Sequence, residues 1–116
     1  MAKIFEDIRV SIEVASGTDE CDEYTPPAGS TVGIKAFVGS AAYTQNSACI
    51  LIWDFGGAGE EILWSIKGSE TMQNNACRVI EAGETDGIKK IAICASNGEA
   101  GPLVMSAYAR LSVELP

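Results

Sequence analysis

The chain has 116 residues with 47% hydrophobic and 21% charged side chains, which fits one packed domain spanning 1–116 and excludes disorder as its dominant state. Sixteen acidic against eight basic residues give a formal net charge of −8, which repels a phosphate backbone and excludes nucleic acid as a partner. Histidine is absent altogether, so Ser-His-Asp, Cys-His and histidine-zinc chemistry cannot be assembled from this chain, and neither a catalytic nor a metal site is expected.

Residues 1–8 turn charged and alternating where a secretory signal needs an unbroken apolar stretch. Ile8, Val10, Ile12 and Val14 then alternate with polar partners, the two-residue period of a strand with one face in the core. From Thr18 to Ser30 the pattern breaks at Gly17, Pro26, Pro27 and Gly29, and Asp19, Glu20, Asp22 and Glu23 crowd together; this reads as a solvated acidic loop. Val32, Ile34, Ala36 and Val38 resume the alternation. Ala48 to Phe55 is apolar on both parities, as in a central strand covered on both faces. Its longest apolar run, Ala48 to Trp53, is far too short to span a membrane, and no membrane partner is expected.

Gly56-Gly57-Ala58-Gly59 turns the chain into Ile62, Trp64 and Ile66, making a hairpin of the two tryptophan-bearing strands. After a polar stretch from Ser69 to Asn75, Cys77 to Glu81 and Lys90 to Ser96 read as a second hairpin around Gly83 to Gly87. Leu103, Met105, Ala107, Ala109, Leu111, Val113 and Leu115 hold one parity in the last and cleanest strand. The sum is an all-β chain: an antiparallel β-sandwich of about seven strands, with jelly-roll and immunoglobulin-like paths as the two candidate topologies.

Four cysteines (Cys21, Cys49, Cys77 and Cys94) contain no Cys-x-x-Cys spacing, and a chain without a secretory signal meets a reducing cytosol; four reduced thiols serving as small hydrophobes are expected. The acids from Asp19 to Glu23 lack the spacing of a calcium loop, and Asp54, Glu60 and Glu61 read as a polar hairpin tip more readily than as a glycosidase pair. The glycine-rich turn lacks the lysine and helix of a phosphate cradle, so no cofactor is expected. The two-faced strand from Ala48 to Phe55 points instead to a subunit interface and a homo-oligomer, with Leu51, Trp53 and Phe55 as contact candidates. Tyr108, on the polar parity beside Ser106 and Arg110, joins them as an exposed aromatic contact. An alternative use of Trp53, Trp64, Tyr43 and Tyr108 is an aromatic platform for sugar rings, which makes the chain a carbohydrate-binding module.

The stretch from Tyr24 to Ile34, a proline-glycine turn feeding a strand, resembles the openings of small β-sandwich modules in tailed-bacteriophage virions, and the block from Gly87 to Cys94 with its terminal strand is similar to them as well. The resemblance implies a non-enzymatic virion structural protein: a capsid decoration, head-fibre or tail module. It implies synthesis in the host cytoplasm, a final location in the virion, and partners among other virion proteins, the capsid protein included.

Overall fold

In a computed structural model, residues 2–40, 46–67 and 81–116 are described, with 40 and 81–84 described by their backbone alone. Tyr43 and Cys77 lie outside the described residues, as do Ser69 to Asn75 and the rest of the strand expected from Cys77, up to Ile80. The described chain forms β1 (Lys3–Val14), β2 (Thr18–Tyr24), β3 (Thr31–Ser40), β4 (Ser47–Trp53), β5 (Glu61–Lys67), β6 (Glu81–Glu84), β7 (Ile91–Asn97) and β8 (Leu103–Glu114). All pair antiparallel, in two four-stranded sheets of order β1-β8-β3-β6 and β2-β7-β4-β5. The expected β-sandwich is therefore present. Its path is the jelly roll, in which consecutive strands β1 and β2 enter different sheets; an immunoglobulin-like path would pair them.

Alternation explains which faces meet. Ile8, Val10 and Val14 of β1 and Met105, Ala107, Ala109, Leu111 and Val113 of β8 point inward from one sheet, and Cys49, Leu51, Trp53, Ile91, Ile93 and Ala95 point inward from the other. Every one of these is buried. Both ends of the described chain close on this core, for β1 and β8 pair along their whole length and the Leu115 N–H donates to the Ala2 carbonyl at 2.8 Å.

Two bulges correct the expected parities. Between Ile34 and Ala36 the pairing of β3 with β8 slips, leaving Lys35 without an opposite residue. An extra residue exchanges the two faces beyond it, so Phe37 is fully buried while Ala36 and Val38, expected inside, are half-buried on the outer face. The same happens in β5, where Leu51 pairs with Trp64 but Ile52 pairs with Ile62, skipping Leu63. Trp64 and Ile66 face the core, and Ile62, expected beside them, is 61% exposed.

Three further expectations are corrected. Thr18 to Tyr24 is strand β2, not a loop, because an edge strand tolerates and exploits charge: acidic side chains along it discourage pairing with another edge. Lys90 to Ser96 does not form a hairpin with its predecessor, since β6 pairs with β3 and β7 pairs with β2 and β4 in the other sheet. Finally, Cys21 and Cys94 are disulfide-bonded rather than reduced. They stand opposite each other on β2 and β7, a juxtaposition that a separation of 73 residues hides from the sequence. Cys49 remains a buried thiol, its Sγ donating to the Ser106 carbonyl at 3.6 Å.

Polar groups inside the sandwich are paired. Asn97, 1% exposed, donates from Nδ2 to the carbonyls of Val14 and Gly101, both at 2.9 Å, and accepts the Glu99 N–H at 2.8 Å. Ser30 and Thr85 are likewise buried; both hydroxyls donate to the Pro27 carbonyl, and the Thr85 N–H donates to the Ser30 carbonyl at 3.0 Å. The proline-glycine turn before β3 is thus locked to the segment before β7.

Candidate functional site

The outer face of the β2-β7-β4-β5 sheet carries an apolar patch. Ile52, Ala92 and Cys94 are buried there although they point away from the core, and Ile50 and Phe55 pack over them half-buried. Ile62 continues the patch beside Ile52, its register partner. Ala92 lies directly opposite Ile52, a cross-strand pair at the centre of the patch. The Cys21–Cys94 disulfide borders it, as does an ion pair between Lys90 Nζ and Glu23 Oε1 at 3.0 Å. Phe55 is positioned by its own N–H, which donates to the Lys90 carbonyl at 3.1 Å.

The outer face of β1 and β8 has a different chemistry. Facing pairs Phe5↔Ser112, Asp7↔Arg110 and Arg9↔Tyr108 build a short ladder of rings and charges. The Arg110 guanidinium lies 4.7 Å from the Phe5 ring centroid and that of Arg9 lies 4.9 Å from the Tyr108 centroid. The Tyr108 hydroxyl donates to Asp7 Oδ1 at 2.9 Å. Burial, then the hydrogen bond to Asp7 and its negative charge, hold the Tyr108 pKa above the usual phenol value.

These faces separate the four expected contact residues. Leu51 is fully buried in the core and Trp53 is 9% exposed, so neither is available to a partner. Both sit on the inward parity of β4; on its outward parity Ile50 is half-buried and reaches the surface, while Ile52 is itself buried at 8% exposure. Phe55 belongs to that patch, whereas Tyr108 lies on the outer face of the opposite sheet. Among the described residues, the aromatic side chains expected to form a sugar platform do not come together either. Trp64 packs its ring on Phe37 at a centroid distance of 5.0 Å and joins the core with Trp53, leaving Tyr108 isolated from both. Ile50, Ile52 and Ile62 escaped the sequence reading, although the two-parity hydrophobicity of β4 was the available signal.

The carboxylates near the glycine turn act on the chain's own backbone. Asp54 adopts a positive φ of 56°, and its Oδ2 accepts the Gly59 N–H at 3.0 Å while Glu60 Oε2 accepts the Gly56 N–H at 2.7 Å. Donors that a phosphate would need are therefore already occupied, and both acids serve as turn braces. At Gly57 an added Cβ would meet the Asp54 carboxylate, so a larger residue there has to displace this brace. In β2, alternation sends Asp19 and Glu23 to one face with Cys21 and sends Glu20 and Asp22 to the other. Among the described residues no three potential ligands converge on a metal position. Comparison with protein-family models and with curated proteins finds no match.

Proposed function

We propose that this chain is a non-enzymatic structural subunit of a bacteriophage particle that joins other virion proteins, and copies of itself, through the outer face of the β2-β7-β4-β5 sheet. The supporting observation is that Ile50, Phe55 and Ile62 reach the surface of this face, beside the buried Ile52 and Ala92. Apolar side chains grouped on the outer face of a small acidic domain fit protein association better than they fit solvent. Jelly rolls occur in viral capsids, lectins and cupins alike, so the fold is compatible with a virion role without selecting it.

The assembly part is tested by native mass spectrometry and light scattering on the purified chain, alone and mixed with tailed-phage particles lacking it. The expected result is a defined oligomer or saturable binding to particles, abolished by Ile62→Lys with the fold retained. A stable monomer without affinity for particles would sink the proposal.

A further inference from the structure

We propose that the seam between the free edge of β1 and strand β2 is a docking groove for an extended, basic segment of a partner protein, which adds to the β1 edge as a further strand. The groove is open, has a volume of 360 Å³ and is lined by Arg9 to Ile12 of β1 and Glu20 to Asp22 of β2. Of its lining residues, only Cys21 also borders the apolar patch, through its disulfide to Cys94.

Three observations define the occupant. The first is the backbone of β1, which is the outer strand of its sheet and has β8 on one side alone. The Arg9 N–H points away from β8 and is capped by Asp22 Oδ2 at 2.9 Å. In an antiparallel strand every second residue turns its N–H and carbonyl to the same side, so Ser11 and Glu13 also present theirs to the free edge. Among the described residues nothing caps either.

The second is Ile12. It occupies the inward parity of β1, between Val10 and Val14, which are 6% and 0% exposed, yet it is itself 51% exposed. The strand across the seam turns Glu20 and Asp22 toward it where an apolar side chain would close the sandwich. An apolar side chain from outside would complete this cover.

The third is charge. Glu20 and Asp22 line the opening, while the Arg9 guanidinium is turned onto the Tyr108 ring on the outer sheet face. Inward-pointing acids of this kind disfavour a second copy, whose own acidic edge would be repelled. They favour a strand alternating basic and apolar residues, one parity meeting the carboxylates and the other covering Ile12.

The probe is a synthetic peptide alternating lysine and valine, with a glutamate-valine peptide as control, titrated into the whole chain by calorimetry and by amide chemical shifts. The expected result is saturable binding of the basic peptide, with shifts concentrated at Ser11, Ile12, Glu13 and Glu20. Ser11→Pro, which removes a free-edge N–H without touching the β8 ladder, is expected to weaken binding about ten-fold. N-methylation of alternate peptide amides removes the same hydrogen bonds without altering the protein and is expected to do likewise, which covers the case of a Pro variant that fails to fold. Absence of binding overturns the proposal. So does binding that N-methylation leaves intact while salt abolishes it, since that is diffuse charge attraction, and so does self-association of the unliganded chain with the same shifts.

Discussion

Cys21 of β2 and Cys94 of β7 are direct register partners, 4.1 Å apart at Cα, and their disulfide fixes the acidic edge strand to the sandwich. Without it, β2 relies on its ladder with β7, the Glu23–Lys90 ion pair, the Asp22 contact to β1 and partial burial of Tyr24. An exposed ion pair contributes little. Reduction, or Cys21→Ser, is therefore expected to lower the unfolding free energy by about 2–4 kcal/mol. Urea denaturation with and without reductant measures this, and hydrogen exchange is expected to rise first in Thr18 to Tyr24. Identical denaturation curves in both conditions would show that this bond does not hold the edge.

Leu51 and Ile62 separate folding from association. Leu51→Ala empties part of a fully buried site and is expected to cost about 2–5 kcal/mol in stability. Ile62→Ala removes an exposed side chain and is expected to change stability by no more than about 0.5 kcal/mol while weakening association. Denaturant midpoints and light scattering on the two variants give both quantities. The reverse ranking would mean that the parity of β4 and β5 is exchanged.

How far the sequence discloses this arrangement depends on strict alternation. The last strand, from Leu103 to Glu114, keeps one parity throughout, and its inward and outward faces are legible directly. Alternation also reveals β1 and the two-faced β4. It fails at Lys35 and Leu63, because a bulge adds one residue without any composition signal and exchanges the faces of all that follow. That is why Phe37 and Ile62 trade places with the residues expected inside and outside. It fails again in β2, whose acids imitate a loop because an edge strand can leave most of its side chains in water. The apolar patch was half legible, in the hydrophobicity of both parities of β4, whereas its other contributors come from strands brought alongside by the topology.

Asn97 is the polar residue on which the β1 and β7–β8 ends converge. Its carboxamide makes three hydrogen bonds to two segments, at Val14 and at Glu99 and Gly101 of the β7–β8 turn, from a buried position. Asn97→Ala leaves two carbonyls and an N–H without that partner, and the expected destabilisation is about 1–3 kcal/mol. Asn97→Asp keeps the acceptor but removes both N–H donors, so it is expected to be no better than alanine. Thermal denaturation of the two variants decides; wild-type stability in the aspartate form would show that the Val14 and Gly101 bonds carry no weight.

The tyrosines predict the alkaline limit of stability. Burial, followed by the negative charge of Glu6, raises the Tyr24 pKa above its usual 10.0. At Tyr108 burial again comes first, followed by the hydrogen bond and charge of Asp7. Both groups stay protonated in the folded state to a higher pH than in the unfolded chain, so their contribution is intact below about pH 10 and is lost as pH rises through the folded values. Tyrosinate absorbance, with Tyr24→Phe and Tyr108→Phe to assign the steps, is expected to show both titrating late. Asp7→Asn removes the charge but leaves the burial, the larger cause, so Tyr108 is expected to move part of the way back toward 10.0. A complete return in that variant would make Asp7 the dominant cause and would mean that the Tyr108 hydroxyl is freely hydrated on the β1–β8 face.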